Sequence, residues 1–248
     1  MYFKDILIIS DNAFLCKEFE RLALDLCLKE VSWTFSISPF SDIEMFKSKL
    51  DSNVTIKNLK DTNVVDQVCE RYDLVFSIHC KQIFPPKLVN TIKCINVHPG
   101  YNPINRGWYP QVFAIINNLP IGATIHEIDE ELDHGNIIDR KFVDKTNADT
   151  SLTLYNKVIT AEIELLKENL VNILENNFET VIPENNNNNI FLKKDFNELC
   201  EIDLNRNYKA GNLINLLRAL THGEYSNAFF IDPNTNKKIF LKIQLEEE

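Results

Sequence analysis

Short apolar runs alternate with longer amphipathic stretches through the first hundred residues. That rhythm demands a parallel sheet covered by helices, because each strand must cross back over the sheet before the next can lie beside it. Ile6 to Ser10 reads as a buried strand, and Asp11 or Asn12 as the cap of a helix whose apolar side holds Leu15, Phe19, Leu22, Ala23 and Leu26 at spacings of three and four. Val31 to Ile37 reads as the next strand, followed by a helix Ile43 to Leu50, a strand Val54 to Leu59 and a helix Val64 to Tyr72. Strand Leu74 to Ile78, a loop through Lys81 to Phe84, a helix opened by Pro85 and Pro86, and strand Cys94 to Val97 complete the series. Proline early in a helix costs no hydrogen bond. The expected fold class is α/β, an open, mostly parallel, Rossmann-like sheet with helices on its faces.

Farther on, the pattern predicts a helix Tyr109 to Asn117 and strands Ala123 to Ile128 and Ile137 to Val143. A long amphipathic helix, Thr150 to Asn176, carries Leu152, Tyr155, Val158, Ile159, Ile163, Leu166, Leu170 and Leu174 on its core side. After the low-complexity run Asn185 to Asn189, a helix Gly211 to Thr221 and a hairpin are expected. Its strands are Asn227 to Ile231 and Lys238 to Leu245, turned by Asp232, Pro233, Asn234, Thr235 and Asn236, with Glu246 to Glu248 frayed. The expected organisation is a main domain 1–183, a linker 184–210 and a helix-plus-hairpin extension 211–248 that contacts substrate or makes a dimer.

Composition narrows the function. Only 6 of 248 residues are glycine, and neither G-x-G-x-x-G nor G-x-x-x-x-G-K-[ST] occurs, so nucleotide binding through those loops is excluded. A net charge of −10 argues against nucleic acid, which requires clustered Lys and Arg. Residues 190–248 carry 8 basic and 9 acidic side chains, a balance that leaves room for small anions. The six cysteines show no C-x-x-C, no basic leader precedes an apolar stretch, and no apolar run is long enough to span a membrane. A cytoplasmic chain with reduced thiols is expected.

Scarce residues are concentrated in one place. Gly100, Gly107, Gly122 and Gly135 fall close together among Pro99, Pro103, Pro110 and Pro120, and four of the five histidines lie between His79 and His134. Asn96 and His98 end a predicted strand; two apart, their side chains project to one side beyond its carboxyl end, where open α/β sheets bind ligands. His79, Cys80, His126 and His134 lack the spacing of a zinc site, and no metal is expected.

The segment Asn-Val-His-Pro-Gly-Tyr-Asn-Pro-Ile-Asn-Arg-Gly-Trp-Tyr-Pro-Gln (Asn96 to Gln111), followed by Gly122 to His126 and Asp133-His134-Gly135, resembles the formyltransferases that use N10-formyltetrahydrofolate. Asn105 to Pro110 and Asp129 to Gly135 look like the sugar N-formyltransferases, which act on nucleotide-linked amino sugars; the likeness is strong over Ser77 to Ile138, looser before it, and faint over Leu217 to Phe230. The family's mobile turn often has Asp-Thr-Gly where this chain has Asp-His-Gly. The resemblance implies formyl transfer to a dTDP-linked amino-dideoxy sugar, with dTDP-4-amino-4,6-dideoxyglucose the first choice and a 3-amino sugar an alternative. It implies His98 as base, Asn96 as oxyanion donor, Asp133 as the support of His98, and Gly135 as the residue that permits the turn. Ser77, Ile78, His79, Cys80, Lys81 and Gln82 would form the loop whose backbone groups recognise the pterin, with Ile83 and Phe84 as an apolar wall and Asp129 also on the folate. Arg106, with Trp108 and Tyr109, would meet the nucleotide sugar and its diphosphate, and Arg218, His222, Tyr225 and Asn227 would hold nucleotide or make a homodimer.

Three rivals share these residues. A methionyl-tRNA formyltransferase is disfavoured by the acidic balance and short tail, a formyltetrahydrofolate hydrolase would use water as acceptor, and a folate-binding module would show no turnover.

Overall fold

Strand β1 (Asp5–Ser10) carries four consecutive apolar residues, Ile6 to Ile9, and all four are fully buried because the sheet is covered on both faces. Ile6 and Ile8 enter one core, Leu7 and Ile9 the other, as period-two alternation requires. The computed structural model describes residues 1–184 and 190–247. The asparagine run 185–189 and Glu248, expected as a loop and a frayed end, lie outside them.

The chain continues through α1 (Ala13–Asp25), β2 (Ser32–Ile37), α2 (Ile43–Lys47), β3 (Val54–Ile56), α3 (Thr62–Arg71), β4 (Leu74–Ile78), α4 (Pro86–Thr91) and β5 (Lys93–His98). There follow β6 (Arg106–Gly107), α5 (Pro110–Ile116), β7 (Gly122–Glu127), β8 (Ile137–Phe142), α6 (Ser151–Leu174), β9 (Ile190–Phe191), α7 (Lys193–Leu199) and α8 (Ala210–Leu220). Four short strands end the chain: β10 (Thr221–His222), β11 (Tyr225–Ser226), β12 (Ala228–Ile231) and β13 (Lys238–Leu241). The main sheet has the order β3-β2-β1-β4-β5-β7-β8. The first five are parallel, and β7 and β8 add antiparallel to that edge, so the expected mostly parallel sheet is what forms.

The cap of α1 is Asn12, whose side chain accepts from the Phe14 and Leu15 amides. Asp11 does other work, accepting from Ser38 Oγ, Ser41 Oγ and the Lys81 amide at 2.6 Å each and so tying three loops together. The expected helix at 43–50 and strand at 54–59 are shorter than their apolar patterns suggested, and the final strand stops at Leu241. The stretch expected as a linker carries β9 and α7. β9 pairs in parallel with β6, and Phe191 stacks on Phe113 with centroids 4.0 Å apart, because its apolar side chains have core to meet.

Parallel strands β1, β4 and β5 end together, with Ser10 opposite Ile78 and Ile78 opposite Val97. That carboxyl edge is the open side of the sheet. β7 brings His126 opposite Asn96 and Thr124 opposite His98, and its pairing with β8 is interrupted at Ile125 and His126, beside those residues.

Arg218 of α8 is buried and donates through Nη1 to the carbonyls of Thr146 (2.8 Å), Asn147 (3.2 Å) and Asp149 (2.8 Å). It is a bolt between the C-terminal helix and the turn before α6. We expect Arg218→Ala to lower unfolding free energy by about 2 to 4 kcal/mol in a denaturant titration, since buried carbonyls lose their donor. An unchanged midpoint would show the contact to be idle.

Candidate active site

Asp133 sits at the centre of the cluster on the carboxyl edge. Its φ of 46° is left-handed, a conformation rare for a residue with a side chain and tolerated by Asp at functional turns. Oδ1 accepts from Asn96 Nδ2 at 3.1 Å and Oδ2 from the Gly107 amide at 2.9 Å, while the Asn102 amide side chain holds the Asp133 carbonyl at 3.0 Å. Two imidazoles flank the carboxylate. His98 Nδ1 lies 3.7 Å from Oδ2 and His126 Nε2 lies 3.8 Å from Oδ1. Burial acts to raise the Asp133 pKa, but His98, His126, the Gly107 amide and Arg106 outweigh it, and the carboxyl is held below its ordinary value.

Carbonyl partners fix both histidine tautomers. His98 Nε2 lies 2.8 Å from the Asn105 carbonyl, which only accepts, so Nε2 carries the proton and Nδ1 keeps its lone pair toward Asp133. The same reasoning gives His126 a proton on Nδ1, donated to the Glu127 carbonyl at 2.7 Å, and a free Nε2 that accepts from Asn96 Nδ2 at 3.2 Å. Burial drives the His126 pKa down to about 4, so this ring is neutral over the physiological range. Orientation of His98 thus comes from Asn105. Asp133, too far for a hydrogen bond, contributes charge.

Two glycines make room for this packing. A Cβ at Gly100 would lie 2.5 Å from both the Asn105 carbonyl oxygen and His98 Nε2. Gly135 serves a close approach to the Glu127 carbonyl; the left-handed residue of the turn is Asp133 itself.

Several expected ligand contacts have structural partners instead. Arg106 is buried with its fork on the Leu132 carbonyl, 2.9 Å from Nε, and it anchors the 129–135 loop. Asp129 closes that loop, accepting from the Glu131 amide and pairing with His134 Nδ1 at 2.8 Å. Phe84 is core, packed with Leu88 and Val75, so of the expected apolar wall only Ile83 stands free, 82% exposed. Gln82 bonds the Leu59 amide and the Lys57 carbonyl. Ser77 is buried in β4 opposite Asn96, burial pushes the Cys80 thiol up to about 12, and Lys81 is exposed. His79 turns inward to Glu162 at 2.8 Å.

Tyr109 adopts a left-handed conformation (φ 51°) at the head of α5 with its ring 4.2 Å from that of Phe196, and Trp108 lies under Lys193. On the C-terminal side, Asn227 caps α8 through the Leu220 carbonyl and His222 bonds Ser151. Tyr225 remains 69% exposed. Among the described residues no cluster of three or more His, Cys, Asp or Glu would hold a metal, and no helix is long and apolar enough to cross a membrane.

Asn105, His126, Tyr155 and Glu162 are the contributors that the sequence reading passed over. Glu162 had a visible signal: it is the one carboxylate at helical spacing from Val158, Leu165 and Leu166. His126 had a weaker one, an imidazole next to Ile125 inside a strand.

A family model described as formyl transferase matches residues 40–170, and one described as the N-formyltransferase dimerization C-terminal domain matches residues 195–247. The dTDP-4-amino-4,6-dideoxyglucose formyltransferase of Mycobacterium tuberculosis is 38% identical over 98% of this chain and 97% of its own. Among solved structures, a 4-N formyltransferase from Francisella tularensis superposes with a TM-score of 0.91 at 39% identity, covering 99% of both chains. A sugar N-formyltransferase from Shewanella sp. FDAARGOS_354 gives 0.92 at 36% identity, also over 99% of both.

The neutral state of His126 has a measurable cost at low pH. Its folded pKa of about 4 lies below the ordinary 6.5, so the unfolded chain binds more protons between those values and stability falls as pH drops through that window. Replacing it by His126→Gln should remove about 2 kcal/mol of the loss in stability between pH 7 and pH 5. Denaturant titrations of both proteins at the two pH values check this; parallel losses would mean that His126 titrates normally in the fold.

Proposed function

Because this chain belongs to the formyltransferase family, within its sugar N-formyltransferases, and is therefore an enzyme of formyl transfer, we propose that it moves the formyl group of N10-formyltetrahydrofolate to the 4-amine of dTDP-4-amino-4,6-dideoxyglucose. The observation that carries this reading is the meeting of Asn96 and His98 at the half-buried Asp133 carboxylate on the open edge of the sheet. The identity of the sugar is supported by full-length likeness to a relative named for that substrate and to a structure named as a 4-N enzyme.

The chemistry needs no metal and no covalent enzyme intermediate. The neutral amine attacks the formyl carbon, a tetrahedral oxyanion forms, and the folate N10 leaves. His98 takes the amine proton on Nδ1, where the Asp133 charge 3.7 Å away favours the imidazolium, and passes it to the departing nitrogen. Asn96 gives one amide hydrogen to Asp133. The other, held by neutral His126 over 3.2 Å, is the one the oxyanion takes. Folate lies along the loop after β4, against Ile83 and the exposed backbone.

The buried Arg106 assists by fixing the 129–135 loop, and the diphosphate is left to other donors, with Tyr225 the exposed aromatic on the acceptor side. The family match at 195–247 supports a homodimer through the C-terminal part, and six free cysteines support a reducing, cytoplasmic setting.

We expect Asn96→Ala and His98→Ala to fold and to lose turnover by roughly 10²- to 10⁴-fold, because both groups act chiefly in the transition state. Free 4-amino sugar should react far more slowly than its dTDP form, in kcat as well as KM, since remote binding energy positions the amine. The assay follows folate absorbance and product mass over a panel of dTDP- and UDP-linked 3- and 4-amino sugars. Formate release with no amine present would favour the hydrolase, and equal rates for free and nucleotide-linked sugars would remove the nucleotide from the account.

A further inference from the structure

Helix α6 turns Val158, Leu165 and Leu166 to the core, and with them one carboxylate, Glu162, which is fully buried. Its hydrogen-bond partner is His79 Nε2, 2.8 Å from Oε1 and 3.0 Å from Oε2. A buried carboxylate is costly, and an apolar side chain of similar volume would serve packing at least as well. Folding alone does not account for it.

His79 is itself held in a left-handed conformation, φ 52°, directly after β4, where a residue with a side chain is strained and persists only when its surroundings fix it. Those surroundings form a directional chain. Asn12, its Oδ1 engaged in capping α1, gives Nδ2 to Tyr155 Oη at 2.9 Å. Burial pushes the Tyr155 phenol above its ordinary value, so it keeps its proton and offers it to His79 Nδ1 at 3.3 Å. Nε2 then carries the imidazole hydrogen, which Glu162 accepts. Two further clamps hold the same loop: Asp11 accepts the Lys81 amide, and Gln82 reaches Lys57 and Leu59. With the imidazole turned inward, the loop presents backbone and Ile83 outward.

We propose that His79 and Glu162 are a positioning pair, joined through Tyr155 to Asn12, that sets the backbone of the β4–α4 loop to receive folate. This rests on the formyl-transfer reading above. The pair touches no reacting atom; it acts through the loop.

The test is two titrations, tetrahydrofolate and dTDP, on wild type, Glu162→Leu and Glu162→Gln, with KM and kcat alongside. In Glu162→Leu the tetrahydrofolate Kd and the formyl-donor KM should rise by about 10-fold or more, while the dTDP Kd stays within about twofold. Glu162→Gln keeps an acceptor for Nε2 and should retain most of the folate affinity. If Glu162→Leu does not fold, His79→Asn carries the test, since Asn tolerates the left-handed conformation yet is too short to reach Glu162. A folded variant lacking the pair whose folate affinity is unchanged, or one that loses dTDP affinity equally, overturns the proposal. Failure of the wild type itself to bind tetrahydrofolate overturns the formyl-transfer reading, and is distinguishable from either.

Discussion

The Asp133 carboxylate, its side chain 11% exposed, is the constraint around which the site is organised. An ion largely removed from water must be met by donors, and this chain supplies the Asn96 amide and the Gly107 backbone, with the imidazoles of β5 and β7 packed beside the carboxylate. Those contacts come from separate elements, so they fix the loop 129–135 against the sheet edge as well as the charge within it. The Arg106 fork on the Leu132 carbonyl and the Asn102 amide on the Asp133 carbonyl secure the backbone of the same loop. One ion thereby couples Asn96, His98 and the loop.

The sheet explains why these groups can meet at all. β1, β4 and β5 run parallel and finish at one edge, and the antiparallel β7 returns along β5 to set His126 opposite Asn96. Two residues apart on β5, Asn96 and His98 reach the same carboxylate, the amide by hydrogen bond and the imidazole by charge. The loop after β4 emerges at this edge too, and it begins with the left-handed His79.

Much of this was legible in the sequence because periodicity and motif order are local properties. Ile6 to Ser10 and Leu74 to Ile78 read as buried strands, and the Asn96, His98, Asp133 set came from three motifs in order. What escaped depends on which partner a side chain finds. Arg106 stands in a glycine- and proline-rich loop and looks free for an anion, yet a carbonyl 26 residues away takes its fork. Phe84 looks like a wall beside a loop but belongs to the core under α4. His79 stands in a loop expected to act through its backbone, and its ring meets a carboxylate 83 residues farther along the chain. The roles of His126 and Asn105 rest on single hydrogen bonds that no spacing rule encodes.

In the proposed mechanism Asp133 supports His98 by charge across 3.7 Å without orienting it by a hydrogen bond. Single-turnover formyl transfer by Asp133→Asn, measured across pH with donor and dTDP-4-amino-4,6-dideoxyglucose saturating, tests it most directly. Removing the anion takes away the charge that balances the proton His98 accepts during transfer, so the plateau rate should fall by roughly 10²-fold or more. A variant that folds, binds both substrates and keeps the wild-type plateau would contradict the account and leave Asp133 a turn residue.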